Sequence, residues 1–267
     1  MTKPETPILA LKDTKAPSVF QPANLLREAR RQRGLDHADV PELCLLDPDG
    51  DIVRYLERVG EAEQINQWAC YHTEMWRFQR DGLEFGVVGC AVGAPFAVLV
   101  AEQMFASGCR FLISITSSGQ ITPVGEAPYY ILIDRALRDE GTSYHYLPPS
   151  RFADADPEVL SRLGALVEAA PISVFQGATW TTDAPYRETE EAIAAHRDAG
   201  ILAVEMEAAA LYAFSRSRGR PVACFAHVTN TMAQTAGDFE KGEADGVLDS
   251  LVLATAAAKT WLSAEKC

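Results

Sequence analysis

The residues best suited to chemistry are Val204-Glu205-Met206-Glu207-Ala208-Ala209-Ala210, where two carboxylates bracket a methionine between an apolar stretch and an alanine-rich one. A glutamate in an apolar junction has to be paired or hydrogen-bonded, and vicinal sugar hydroxyls are donors that a carboxylate accepts. The same carboxylates would also suit the first turn of a helix, where the dipole favours negative charge, and the residues alone leave both readings open. A second candidate is Gly89-Cys90-Ala91-Val92-Gly93-Ala94-Pro95. Glycines between a strand and a helix let backbone amides approach an anion at the helix N-terminus. Full Gly-x-Gly-x-x-Gly spacing is missing, and residues 109–112 offer no acidic group for a dinucleotide ribose, so a simple packing turn fits this segment equally well. The third is Thr116-Ser117-Ser118-Gly119, hydroxyls and a glycine where a buried strand ends. Open α/β sheets collect ligands at such ends, and ordinary turns place serine there too.

Histidines His37, His72, His145, His196 and His227 are isolated, and the six cysteines contain no Cys-x-x-Cys pair. Neither a metal site nor a disulfide framework is therefore expected, and the cysteines read as reduced thiols, several of them buried.

Groups so placed need strands that end beside them. Residues 22–33 have the spacing of a short arginine-rich helix, and the polar residues ahead of it read as a flexible tail over 1–18, leaving one domain over 19–267. Asp81-Gly82 between apolar stretches predicts a tight hairpin whose second arm, 83–88, is a strand. The glycine turn then leads into a helix over 96–107 that Gly108 stops. Further strands are predicted at 111–115, 129–137, 172–178, 201–204 and 221–228. Asp156 caps a helix begun by Pro157, with Leu160, Leu163 and Val167 on one face. A helix over 205–218 ends at Gly219, and a last one spans 244–262. This alternation predicts an α/β fold with a sheet covered on both faces.

A formal charge of −13, with acidic residues spread along the chain, repels phosphodiester backbones and argues against nucleic-acid binding, although not against a small anion in a local pocket. No segment has the apolar run of a signal peptide or a membrane span, so a cytoplasmic protein without membrane attachment is expected.

In their order, these three segments resemble the nucleoside phosphorylase superfamily, above all its uridine phosphorylase branch, over residues 22–262. Glu205-Met206-Glu207-Ala208 matches the family's helix start without change, Gly93-Ala94-Pro95 stands for its Gly-Gly-Pro, and Ser117-Ser118-Gly119 for its Thr/Ser-rich turn. The resemblance implies a single-domain three-layer sandwich, with a central mixed, twisted sheet flanked by helices. It implies that Met206 and Glu207 line a ribose with Glu205 in support, that Gly93 and Ser117 approach a phosphate, and that Thr181, Thr182 and Arg187 belong to the base pocket. Asn230 falls where purine phosphorylases and nucleosidases carry an acidic aspartate and uridine phosphorylases carry asparagine, which argues against a purine reaction needing an acid.

Phosphate-binding arginines are the main departure. The family's early Gly-Asp-Pro-x-Arg turn is read here as Phe20-Gln21-Pro22-Ala23-Asn24, its strand arginine becomes Ser114, and an arginine donated by a neighbouring subunit falls near Tyr71 and His72. Arg27, Arg30 and Arg77 are the candidate substitutes. The implied reaction is phosphorolysis of a ribonucleoside, a pyrimidine nucleoside favoured, to free base and ribose 1-phosphate, with inorganic phosphate as co-substrate and no other cofactor. In it Glu207 and Met206 fix the sugar while Asn230 and Arg187 steady the departing base. Two rivals stand beside it: a phosphate-independent nucleoside hydrolase, and a nucleoside-binding protein without catalysis. A homo-oligomer, dimer or hexamer, is implied as well.

Overall fold

Short apolar runs bounded by Gly, Pro and Asp form the sheet seen in the computed structural model, which describes residues 6–10, 12–232 and 236–264. Its middle is four parallel neighbours: β4 (Leu83–Gly89), β1 (Leu43–Asp47), β5 (Phe111–Gln120) and β10 (Val222–Asn230). Beyond β4 the sheet continues antiparallel through β3 (Trp76–Arg80) and β2 (Ala62–Gln64). The β3–β4 turn is the expected hairpin, with Asp81 and Gly82 both at positive φ.

On the other side, β6 (Tyr129–Asp139) runs antiparallel to β10 and carries the short β7 (Phe152–Asp154). Parallel to β6 lies β8 (Val174–Thr182), and parallel to that β9 (Ile201–Glu205). The chain of pairings then returns to its start: β9 crosses β5 antiparallel at Gly119 opposite Val204 and Gln120 opposite Ala203. Strands β10, β6, β8, β9 and β5 thus close into a ring, with β1, β4, β3 and β2 as an open wing.

Helices cover both faces, as the strand and helix alternation predicts. One face packs on α3 (Ala94–Ala106) and α7 (Ala208–Arg218), and the other on α2 (Asp51–Val59), α4 (Pro157–Leu163) and α8 (Val247–Ala264). The remaining helices are α1 (Pro22–Arg33), α5 (Leu166–Ala169) and α6 (Glu190–Asp198). Every residue of α7 from Ala208 to Ser215 is buried, so its alanines allow close approach on all sides rather than on one stripe.

Several expectations shift. Thr116 to Gly119 are not a turn but the far half of β5, because β10 pairs with them as far as Asn230 opposite Gly119. Thr181 and Thr182 complete β8, and Glu205 is the last residue of β9 rather than the first of a helix. Gly164 separates α4 from α5, so Val167 is not on α4. Elements at 43–64, together with α6 and β7, have no counterpart in the sequence reading. Residues 6–10 and 12–18 hold no helix or strand; residues 1–5 and 11 of the anticipated tail, and Cys267, lie outside the described residues. Cys44, Cys70, Cys109 and Cys224 are buried free thiols, and Cys90 is an exposed one.

Candidate active site

The β9 to α7 junction puts the acidic pair inside. Glu205 is almost wholly buried, and all of its accepting capacity is used by the fold: Oε1 takes the hydroxyls of Thr179 at 3.0 Å and Thr181 at 2.5 Å, and Oε2 takes the backbone N–H groups of Glu207 and Ala208 at 2.7 Å each. It therefore caps α7 and holds the junction rigid. Thr181 closes the arrangement by accepting the Ala209 N–H at 2.9 Å. Hydrogen bonds to a charged group contribute about 1.5–3 kcal/mol each and offset part of the burial cost, which still raises the Glu205 carboxyl above its usual value.

Glu207, only 1% exposed, points the other way. Its Oε1 accepts the Gly93 N–H at 2.7 Å and its Oε2 the Thr116 hydroxyl at 3.0 Å, so each oxygen keeps a lone pair for a further donor. Burial, reinforced by the charge of Glu205, pushes its carboxyl up to about 8, against the pull of those two donors. Gly93 can serve because its φ of 88° with ψ of 149° is open only to glycine, and that conformation aims its N–H at the carboxylate as α3 begins. Met206, between the two glutamates, is half-buried.

A second carboxylate reaches the same strand end from β1. Asp49 accepts the Ser117 N–H and the Ser117 hydroxyl, both at 2.9 Å. Asp47, buried at the end of β1, accepts the Gly50 and Val53 N–H groups at 3.1 Å and so starts α2, while burial raises its carboxyl to about 7. Asp51 binds Arg54 at 2.6 Å and Lys241 at 2.5 Å. His227, on the Ser117 register of β10, stacks on Tyr130 with ring centroids 4.5 Å apart, and burial lowers its pKa to about 4. Among the described residues no group of three or more His, Cys, Asp or Glu is arranged to hold a metal ion.

These donors and carboxylates sit at the carboxyl ends of β1, β4, β5 and β10, where a parallel sheet offers a crevice. The sequence model of the phosphorylase superfamily matches residues 47–260, which contain all of them. The chain belongs to the phosphorylase superfamily. It is an enzyme of the nucleoside phosphorylase type within that family. It is 25% identical over 186 residues to a guanosine phosphorylase of Halorubrum lacusprofundi, covering 69% of this chain and 76% of that protein. It is 26% identical over 201 residues to a uridine phosphorylase of Thermococcus kodakarensis, covering 66% of this chain and 72% of that one. In fold it is similar to the crystal structure of uridine phosphorylase from Vibrio fischeri ES114, with a TM-score of 0.68, 22% identity, and coverage of 84% and 94% of the two chains.

The fold separates the anticipated residues. Gly93, Thr181, Glu205 and Glu207 join in one hydrogen-bonded network with Thr116. Ser117, Ser118, Gly119 and Asn230 share the adjacent strand ends, Ser118 with a buried hydroxyl that has no partner. A Cβ on Gly119 would lie 2.6 Å from Met232 Sδ and 3.5 Å from Asn230 Oδ1, so the asparagine side chain lies against that glycine. Asn230 itself accepts the Met232 N–H and donates to Thr229. Thr182 is buried and caps the next turn through the Ala184 N–H. Arg187 is apart from these: it stands exposed on the 3-10 turn Pro185–Arg187 that follows β8.

The early turn needs correcting. Phe20 to Asn24 lead into α1 and follow no strand. An Asp-Pro pair that does follow a strand is Asp47-Pro48, at the end of β1, where the match to the superfamily begins. Arg27 is bound to Asn24 and Glu28 on α1. Asp49 is the functional candidate that the sequence reading passed over. The signal was present, since Leu43-Cys44-Leu45-Leu46 runs straight into Asp47-Pro48-Asp49-Gly50-Asp51, a buried strand followed by a turn. An open cleft of about 590 Å³ adjoins this turn, lined by Gly50, Arg54, Tyr71, His72, Cys90 and Phe96 among others, and is of a size suited to a small metabolite.

Proposed function

We propose that the protein cleaves the N-glycosidic bond of a ribonucleoside and releases the free base, a pyrimidine nucleoside being preferred. The observation that carries this reading is Glu207: a buried carboxylate fixed by Gly93 and Thr116, with accepting capacity left over, beside the half-buried Met206. A ribose seated there donates its vicinal hydroxyls to Glu207 and rests on Met206. Bond cleavage at the anomeric carbon proceeds through an oxocarbenium-like state, which a fixed carboxylate favours electrostatically without reorganising. Asn230 faces the base, as donor and acceptor but not as an acid. Its relatives' names support a phosphorylase, in which inorganic phosphate takes the glycosyl group and no further cofactor is needed. This reading includes a cytoplasmic homo-oligomer, dimer or hexamer, for which sedimentation is the check. Among the described residues no helix is long and apolar enough to cross a membrane.

The test is a panel of purine and pyrimidine ribonucleosides, each incubated with and without phosphate. Release of base from at least one, with uridine-type substrates ahead of purines, is the expected result. A full panel that binds but does not turn over would replace catalysis with nucleoside binding.

A further inference from the structure

At their far ends from the candidate active site, α3 and α7 border a second cavity, of about 410 Å³. Gln103, on its lining, is ten residues along α3 from Gly93, which at the helical rise is about 15 Å away. The walls are aromatic. Phe105 and Phe214 pack tilted with ring centroids 5.7 Å apart, and Tyr146 stands edge-on to Phe214 at 6.0 Å. Phe20, 70% exposed, borders the cavity from the segment that leads into α1. A space of this size suits a small molecule.

Two polar features break the apolar lining. Gln103 is 3% exposed, its Nε2 donates to the Leu99 carbonyl at 3.3 Å, and its Oε1 has no partner among the described residues. A buried amide oxygen left unpaired is destabilising, and a ligand N–H is a group that would satisfy it. The other feature is charge. Arg218 meets Glu102 through Nε at 3.3 Å, and Glu102 also accepts the Tyr146 hydroxyl at 3.1 Å. Arg220 lies over the Phe105 ring, 5.5 Å from its centroid, and enters none of the ion pairs formed among the described residues. With two arginines and one carboxylate on its lining, the cavity is locally positive on a chain of formal charge −13.

We infer that this cavity is a second binding site, for a small molecule that joins a planar ring bearing an N–H donor to an anionic group. The ring packs among Phe105, Tyr146 and Phe214, its N–H donates to Gln103 Oε1, and the anion meets Arg218 and Arg220. A nucleoside 5′-monophosphate and an indole carboxylate both carry this chemistry, the first ending in phosphate and the second in carboxylate. An occupant ties together the far ends of two helices whose N-caps, Gly93 and Glu207, are hydrogen-bonded to each other at the other end.

Isothermal titration of the full chain with uridine 5′-monophosphate and, separately, with indole-3-acetate tests the site. At least one should bind, less tightly as salt is raised, and which of them binds identifies the anion. Gln103→Leu should raise that Kd about 5–10-fold with the melting temperature unchanged or higher, since it removes an unpaired oxygen. Arg220→Ser should raise the Kd several-fold, and Glu207→Gln should leave the binding in place. Binding lost in Glu207→Gln but kept in Gln103→Leu and Arg220→Ser would put the ligand in the ribose site and overturn the inference. So would binding of neither probe, or a change in sedimentation on Arg220→Ser, which would assign the cavity to a second copy of the chain.

Discussion

Two adjacent glutamates differ here in what their oxygens are doing. Glu205 spends its lone pairs on Thr179, Thr181 and two backbone N–H groups, whereas Glu207 accepts from only Gly93 and Thr116. Removing a donor from the first should therefore cost stability, and removing the second should cost activity. Thr181→Val leaves Glu205 short of a donor and the Ala209 N–H unsatisfied; a loss of about 2–4 kcal/mol in urea unfolding is expected. A loss under about 0.5 kcal/mol, the level of an ordinary surface change, would mean that the threonine is dispensable. Glu207 also sets a pH dependence. Its carboxyl is raised from the usual 4.5 to about 8 in the folded protein, so the native state binds a proton that the unfolded chain has released. Its contribution to stability is fully present below about 4.5 and is lost as pH rises towards 8. The ligand-free protein should melt at a lower temperature at pH 8.5 than at pH 6, with Asp47 acting in the same direction, and Glu207→Gln should flatten the difference. If sugar hydroxyls bind the ionised form, kcat/KM rises along an acid limb with an apparent pKa near 8, and that limb disappears in the glutamine variant.

At the scale of elements, the site exists because β9 touches β5 over only two residues before α7 turns away. That crossing carries Glu207 across to Thr116 and to the start of α3. Gly93 is the hinge of this contact, and its φ is the whole of its constraint, since a Cβ there would meet nothing nearer than Pro95 Cδ at 4.0 Å. Gly93→Ala should cost about 1–3 kcal/mol of backbone strain and lower kcat/KM by misaiming the N–H. Gly119→Ala is the contrast: its φ is ordinary, but the new Cβ drives against Met232 and the Asn230 side chain, so KM should rise more than stability falls. Equal effects from the two substitutions would contradict these separate roles. Strands flanked by glycine or proline were legible in the sequence, as 83–88 and 129–137 show. The helix starting at Pro22 was legible too, since proline fixes the first turn. Thr116 to Gly119 read as a turn because residue type there signals one, while the pairing that makes it strand comes from β10, over 100 positions away. The same holds for Asp49: the turn it sits in is local, but its meeting with Ser117 is a contact between two strands separated by 68 residues, which periodicity cannot report.

For the whole molecule, the closed ring of β5, β10, β6, β8 and β9 fixes Glu205 and Glu207 relative to Thr116 and Asn230. A ribonucleoside should raise the melting temperature, by an amount equivalent to about 2.7 kcal/mol at a concentration 100 times Kd, and its 2′-deoxy counterpart should do so less at equal concentration. Equal shifts would remove the sugar hydroxyls from the account. Everything turns on Glu207 facing a sugar, and the most direct measurement compares base release from a ribonucleoside by wild type and by Glu207→Gln, with both proteins checked for the same fold by circular dichroism. Loss of one charged hydrogen-bond acceptor should lower kcat/KM by a factor of about 10–150. A glutamine variant that folds normally and cleaves as fast as wild type would contradict it.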